Sequence, residues 1–427
     1  MRPHNSRFSP QDVMHEITEP SRFALRAGWS GLGDAVSRRL WFLKGESLCA
    51  AARRRTGLVD FGDPPLEPAL STLADSLEQE ADLHPLGRFL IRTHLQDLLA
   101  TRLRLAAQWS SVHDCPPIER PLFITGMPRS GSTFLHELLA EDPGNRAPRV
   151  WEVMFPCPAP NPGGSHDDPR IRRAAAGLWW FRRLAPEADA VFPMRARTPH
   201  ECVAIHSYTM LSDEFLSTCR IPSYERLLRS ADLRPVYAWQ KRFLQHLQQP
   251  SPRRRWVLKS PDHVYGLEAL FALFPDARII QTHRNPLEVI ESSSRLTEVL
   301  WGLYARSGNR EEIGLREARV LSESMDRFLL FRDRHPELQE RFIDVKYSEL
   351  VADPLSVVRR IYQRLETPLP ELAAQRMSSM VAKRSRYRRR RRRPALAELG
   401  VEPRVEAQRF QHYCSRFDIA LREAEPG

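Results

Sequence analysis

A chain of 427 residues, 42% hydrophobic and 27% charged, can bury a large core, and its composition excludes a disordered or fibrous polymer. Its formal charge of +11 is local: Lys383, Arg384, Arg386 and Arg388 through Arg393 carry nine positive charges with no acid among them, and subtracting nine leaves +2 for the rest. The six cysteines (Cys49, Cys115, Cys157, Cys202, Cys219, Cys414) show no metal-ligand spacing, and a chain this long needs no disulfide framework, so no metal is expected and the thiols read as free.

Met1 to Arg26 is polar and interrupted by proline and charge, without the apolar centre of a signal peptide. No run of about eighteen apolar residues occurs, so a cytoplasmic protein without a transmembrane segment is expected. From Leu70 to Trp109, apolar residues recur at helical spacing: Leu70, Leu73 and Leu77, then Ile91, Leu95, Leu98, Leu99 and Leu103. They predict one or two long helices ahead of the first strand.

That strand is the apolar run Pro121-Leu122-Phe123-Ile124-Thr125. A tight loop follows, Gly126-Met127-Pro128-Arg129-Ser130-Gly131-Ser132-Thr133, and then a helical pattern from Phe134 to Leu139. The glycines have the spacing of a phosphate-binding loop, but Ser132 stands where a nucleoside triphosphatase carries lysine, which argues against ATP or GTP hydrolysis. The loop still suits an anion. Its free N–H groups and the helix start can converge on one oxyanion, Ser130, Ser132 and Thr133 add hydroxyls, and Arg129 adds fixed charge.

Proline and glycine between Pro156 and Pro169 mark a loop, and residues 170–250 read as several aromatic-rich helices. Trp256 to Lys259 reads as a strand, a helix runs to Phe274, and Ala277 to His283 reads as a second strand before Arg284-Asn285-Pro286: a parallel βαβ unit. A late strand, Phe342 to Lys346, precedes Tyr347-Ser348-Glu349-Leu350 and Asp353-Pro354. The alternation predicts an α/β fold of three layers, α/β/α around a central parallel sheet of the P-loop NTPase kind, with a helical N-terminal region and a helical insertion.

The loop Gly-x-Pro-Arg-Ser-Gly-Ser-Thr (126–133), the run Lys259-Ser260-Pro261-Asp262-His263, and Arg284-Asn285-Pro286 with Ser292 eight residues beyond the arginine resemble, in this order, the sulfotransferases that use PAPS (3′-phosphoadenosine 5′-phosphosulfate). The resemblance covers residues 120 to 416 at the level of motifs. Together with the helical spacing ahead of the first strand, the aromatic-rich helices and the local charge, it gives the expected organisation: residues 1–115 as a helical region packed on the core and 116–427 as the sulfotransferase domain, with 170–250 as an acceptor-side insertion and 383–394 as a basic segment. It also implies that Arg129, Ser130, Gly131, Ser132 and Thr133 hold the 5′-phosphosulfate, that Arg284 and Ser292 hold the 3′-phosphate, and that Tyr347 lies near the adenine.

Chemistry follows from the same resemblance. Charge spreads over sulfuryl and leaving-group oxygens, as in phosphoryl transfer, so Lys259 and Arg129 are the expected stabilising cations. Lys259 is one of only five lysines (44, 241, 259, 346, 383) in a chain that otherwise uses arginine. Glu152, flanked by apolar residues at the family's distance from the loop, is the expected base for the acceptor hydroxyl or amine. Its rivals are His200, Glu201, His206, His136 and His263. His263 matches the family and is expected to orient Lys259 or the acceptor. Thr198-Pro199-His200-Glu201 also resembles the family and is expected near the acceptor, a small molecule, lipid or glycan.

One departure stands out. Relatives carry a Gly-x-His-x-Tyr type segment where this chain has Arg386-Tyr387 and Arg388 to Arg393. Two other classes are weighed. A P-loop kinase or NTPase lacks its lysine here. A non-catalytic polyanion binder would rest on one basic segment without the aromatic interleaving of nucleic-acid surfaces.

Overall fold

The computed structural model describes residues 32–110, 115–159, 168–191, 193–248, 254–306, 308–385 and 395–421. The arginine run 388–393 and the segment Met1 to Arg26 therefore lie outside the described residues. The main elements in chain order are helix α1 (Pro85–Trp109), strand β1 (Leu122–Gly126), helix α2 (Ser132–Leu139), strand β2 (Asn145–Arg146), helix α3 (Val150–Met154), helix α4 (Pro169–Leu184), strands β3 (Arg255–Lys259) and β4 (Arg278–His283), helices α5 (Pro286–Trp301) and α6 (Arg310–Arg334), and strand β5 (Phe342–Lys346).

The strands form one parallel sheet in the order β2-β3-β1-β4-β5. All five residues of β1 are buried, as expected of a parallel strand covered on both faces. Alternation divides the burial. Leu122 and Ile124 join Leu135, Leu138 and Leu139 of α2 and Val358 and Ile361 of a later helix. Phe123 faces the other way, into a larger core with Leu258 and Ile279. Leu95, Leu99 and Leu103 of α1 belong to that larger core, so the N-terminal helices pack into the layer that covers the sheet.

Buried polar bonds fix α1 in place. Arg102, with none of its surface exposed, donates to the carbonyls of Phe61 (2.9 Å), Gly62 (2.9 Å) and Tyr208 (2.8 Å), and also to that of Pro64. At the other end a Cβ on Gly87 would sit 1.8 Å from the carbonyl oxygen of Tyr304, so only glycine permits that approach.

The chain leaves β1 for β2 and β3 on one side of it, then crosses to β4 on the other. Such a change of direction opens a crevice beyond the carboxyl ends of the strands. Register sets what enters it: Ile124 pairs with Lys259 and Gly126 with Thr282. Among the described residues, no helix is long and apolar enough to cross a membrane, and no group of His, Cys, Asp and Glu could hold a metal ion.

Candidate active site

Above the sheet's carboxyl edge lies a cavity of about 2990 Å³, whose lining includes Arg129, Gly131, Ser132, Thr133, Lys259, Arg284, Ser292 and Tyr347. Eight of the eleven expected site residues thus share one cleft, and Ser130, Glu152 and His263 lie outside its lining. The loop reaches it by an unusual backbone path: Gly126 (φ 128°), Arg129 (φ 62°) and Gly131 (φ 90°) are all left-handed. At Gly126 a Cβ would meet the carbonyl oxygen of Thr282 at 2.4 Å; at Gly131 it would meet the Tyr347 ring at 2.9 Å. Glycine is therefore required twice, by conformation and by space.

Ser130 is fully buried and serves the loop rather than the cleft. Its hydroxyl donates to the Met127 carbonyl and shares a 2.6 Å hydrogen bond with the Thr282 hydroxyl. Thr282 Oγ1 is 3.1 Å from the Thr125 carbonyl, so β4 braces the loop from beneath.

The arginines interlock. Arg129 Nε donates to Ser292 Oγ at 3.1 Å, joining the loop to α5. Arg284 Nη1 donates to the Arg129 carbonyl at 2.7 Å, and its Nε donates to Glu288 at 3.1 Å. The Arg284 guanidinium also lies 4.1 Å from the centre of the Tyr347 ring. Tyr347 begins the helix Tyr347–Ala352 directly after β5. Two guanidinium groups, the Ser292 hydroxyl and the Tyr347 ring are thus grouped together in the cleft.

Lys259 closes β3. Only 3% exposed, it donates to Glu201 Oε1 at 2.5 Å and to Thr133 Oγ1 at 3.1 Å. Glu201 is brought there by the segment 198–202, which is bonded on both sides. The His200 N–H donates to the Pro148 carbonyl (2.7 Å), and the Val150 N–H donates to Thr198 (3.1 Å). On the other side the Cys202 N–H donates to the Lys259 carbonyl (2.9 Å). Arg149 and Pro199 form an isolated antiparallel bridge.

Two residues expected in catalysis stand apart from the cleft lining. Glu152 is 6% exposed, and both of its oxygens are engaged: Oε1 accepts from Arg146 (3.0 Å) and Oε2 from the Arg149 N–H (2.9 Å). It closes a capping box at the start of α3. His263 is fully buried. The 3₁₀ turn Pro261–Tyr265 carries it against Tyr237, whose hydroxyl is 2.7 Å from Nδ1, and edge-on to Phe123. Burial pushes its pKa down to about 3, with His206 and Lys259 contributing and Asp262 opposing, so it is a neutral core group. His136 is similar: its Nε2 donates to the Val257 carbonyl at 3.0 Å, and burial, then Lys259, lower it to about 3.

Another part of the cavity is lined by apolar groups, among them Leu86, Phe89 and Leu90 of α1 and Leu178, Trp180 and Phe181 of α4. A polar group interrupts them. His94 Nε2 lies 2.8 Å from Glu214 Oε1, and Glu214 Oε2 accepts from Ser207 at 2.6 Å. Motif reading did not find His94 or Glu214, since each is an isolated polar residue in a helical segment and only tertiary packing pairs them.

Residues 121–371 match the sulfotransferase family, and the chain belongs to it. Among curated proteins it is similar to the omega-hydroxy-beta-dihydromenaquinone-9 sulfotransferase Stf3 of Mycobacterium bovis and of Mycobacterium tuberculosis. Identity is 28% over 256 residues in each case, covering 57% of this chain and 62% of the relative's length. Among solved structures it is similar to sulfotransferase STF1 from Mycobacterium tuberculosis H37Rv (29% identity, TM-score 0.76, 86% of this chain and 98% of that one). Sulfotransferase STF9 from Mycobacterium avium gives 29% identity and a TM-score of 0.79, over 90% of this chain and 99% of that one. These neighbours have the expected P-loop-like α/β architecture.

Proposed function

We propose that the protein transfers a sulfuryl group from PAPS to a hydroxyl group of an apolar, lipid-like acceptor. The observation that carries this reading is the convergence of the loop 126–133, Lys259, and the Arg129–Ser292–Arg284–Tyr347 group on one cleft. The residues fit such a donor. Backbone N–H groups of the glycine loop and the start of α2 suit a 5′-phosphosulfate, a guanidinium and a hydroxyl suit a 3′-phosphate, and the Tyr347 face suits a base.

In this reading Arg129, Ser132 and Thr133 orient the sulfuryl oxygens. Lys259 supplies positive charge where it develops on the bridging oxygen as the 5′-phosphate departs. Thr133 and Glu201 hold the Lys259 ammonium in place beforehand, so little reorganisation is needed during transfer. Residues 116–427 would form the catalytic unit, with α1 and α4 forming the walls of its acceptor side.

Two observations support the acceptor class. A cavity of about 2990 Å³ exceeds the roughly 300–1,000 Å³ of an ordinary small-molecule site, which leaves room beyond a nucleotide. The lining of that extra room is mainly aliphatic and aromatic, and the relative Stf3 is named for a menaquinone-derived acceptor.

Calorimetric titration with PAP, the desulfated product, tests the donor. Micromolar binding that is indifferent to Mg²⁺ and lost in Arg284→Ala is the expected result. Binding of ATP with Mg²⁺ and none of PAP would overturn the reading and return the loop to the kinase class.

A further inference from the structure

With both oxygens of Glu152 engaged, the acceptor's proton needs another destination. The histidines and acids around Lys259 are nearly all committed. His94 is bound to Glu214, His136 to the Val257 carbonyl, His206 to Gln240 (2.7 Å) and His263 to Tyr237. Glu201 pairs with Lys259, and Asp262 is bonded to Ser260 and lies 3.6 Å from His206. His200 differs. It lines the cleft, it is only half-buried, and its imidazole has no hydrogen-bond partner among the described residues.

We propose that His200 is the general base, taking the proton of the acceptor hydroxyl as that oxygen attacks the sulfuryl sulfur. The proposal rests on the sulfotransferase reading above. The acceptor O–S bond forms and the S–O bond to the 5′-phosphate breaks. PAP departs with that electron pair, and the acceptor proton ends on the imidazole. Position favours this residue. His200 adjoins Glu201, the partner of Lys259, and both flanks of its segment are pinned, to Pro148 and Val150 on the side of α3 and to Lys259 on the side of β3. A base held beside the cation that serves the leaving oxygen is within one cleft of both ends of the transfer.

The electrostatic setting is compatible. Burial in the cleft lowers the His200 pKa from its usual value, Glu214 and Glu201 oppose this, and Lys259 adds to it. His136 faces the same region and is itself neutral. The imidazole is therefore unprotonated near neutrality and able to accept a proton.

The test compares two acceptors with the full chain and PAPS. Dodecanol is an aliphatic alcohol that needs a base; p-nitrophenol in mildly alkaline buffer is already a phenolate and needs none. His200→Asn and His200→Gln, each shown to bind PAP as the wild type does, should lose about 100-fold or more on dodecanol and far less on p-nitrophenolate. Full activity of either PAP-binding variant on dodecanol overturns the assignment. An equal loss on both acceptors also overturns it, because a residue that only shapes the cleft affects both. A wild-type protein that binds PAP but sulfates neither probe counts against the proposed function, and the assignment falls with it.

Discussion

Glu152 shows how one carboxylate is committed by its local backbone. It is the third residue of α3, where a side-chain oxygen can accept the N–H of the residue before the helix, and Oε2 does so from Arg149 at 2.9 Å. Oε1 neutralises Arg146, whose side chain is 14% exposed and whose guanidinium lies 4.7 Å from the Trp256 ring. Glu152→Gln leaves Arg146 without its counter-charge in a half-dry setting. It should lower stability by about 1–3 kcal/mol while changing turnover only a few-fold, as read by denaturant midpoints and by kcat on a common acceptor. A loss of turnover above about 100-fold with unchanged stability would return the role of base to Glu152. Lys259 is the opposite case. Its short contacts to Glu201 and Thr133 suit a compact ammonium, and a planar guanidinium would not occupy the same position. That gives a physical reason for lysine at this place in an arginine-rich chain.

The turn from β1 into α2 concentrates strain that only its residues can bear. Three left-handed positions occur between residues 126 and 131, and the Tyr347 and Leu350 side chains lie where a Gly131 Cβ would project, at 2.9 and 3.1 Å. Gly131→Ala should cost about 2 kcal/mol of stability and weaken PAP binding more than tenfold. Gly177, in the middle of α4 with nothing within 4 Å of its added Cβ, supplies the contrast. There alanine should stabilise the protein by about 0.5–1 kcal/mol. Equal behaviour of the two variants in thermal unfolding and PAP titration would refute the argument from strain. This turn was legible from sequence because a short apolar run, two glycines and a 3.6-residue period follow one another within eighteen residues. The βαβ unit around Lys259 and Arg284 was legible for the same reason. Strand β2 was not, because two residues carry no period. The seat of His263 was also hidden: the run Lys-Ser-Pro-x-His fixes a spacing, but the 3₁₀ turn it forms carries the imidazole into the core beside Tyr237. The pairing of Glu201 with Lys259 depends on hydrogen bonds from segment 198–202 to both α3 and β3. No local pattern encodes those partners.

Continuity of the core across these elements makes acid stability a property of the entire chain. His136 anchors α2 to β3, and His263 sits beneath Lys259 between Phe123 and Tyr237. Both have folded pKa values near 3, depressed first by burial, against about 6.5 when unfolded. Between those values the unfolded chain binds two protons that the folded chain does not, so the free energy of unfolding rises with pH and falls as acid is added. Each imidazole contributes a slope approaching about 1.4 kcal/mol per pH unit within that window, and nothing above it, where both states are neutral. Burial lowers His200, His246 and His283 as well, which adds to the slope with the same sign. His94, raised by Glu214 against its own burial, opposes it. Unfolded carboxylates have pKa values of about 3.9–4.3 and are mostly ionised above about pH 5.5, so the histidines dominate the interval from about pH 6.5 to about pH 5.5. Denaturant unfolding across that interval should show stability falling by several kcal/mol, a large share of the roughly 5–15 kcal/mol of a typical fold. Replacing His136 by asparagine should remove close to one proton from the slope even where it lowers the absolute stability. A flat profile from about pH 7 to about pH 5 would mean that these imidazoles charge freely in the folded state, which their bonds to Val257 and Tyr237 and their burial do not allow.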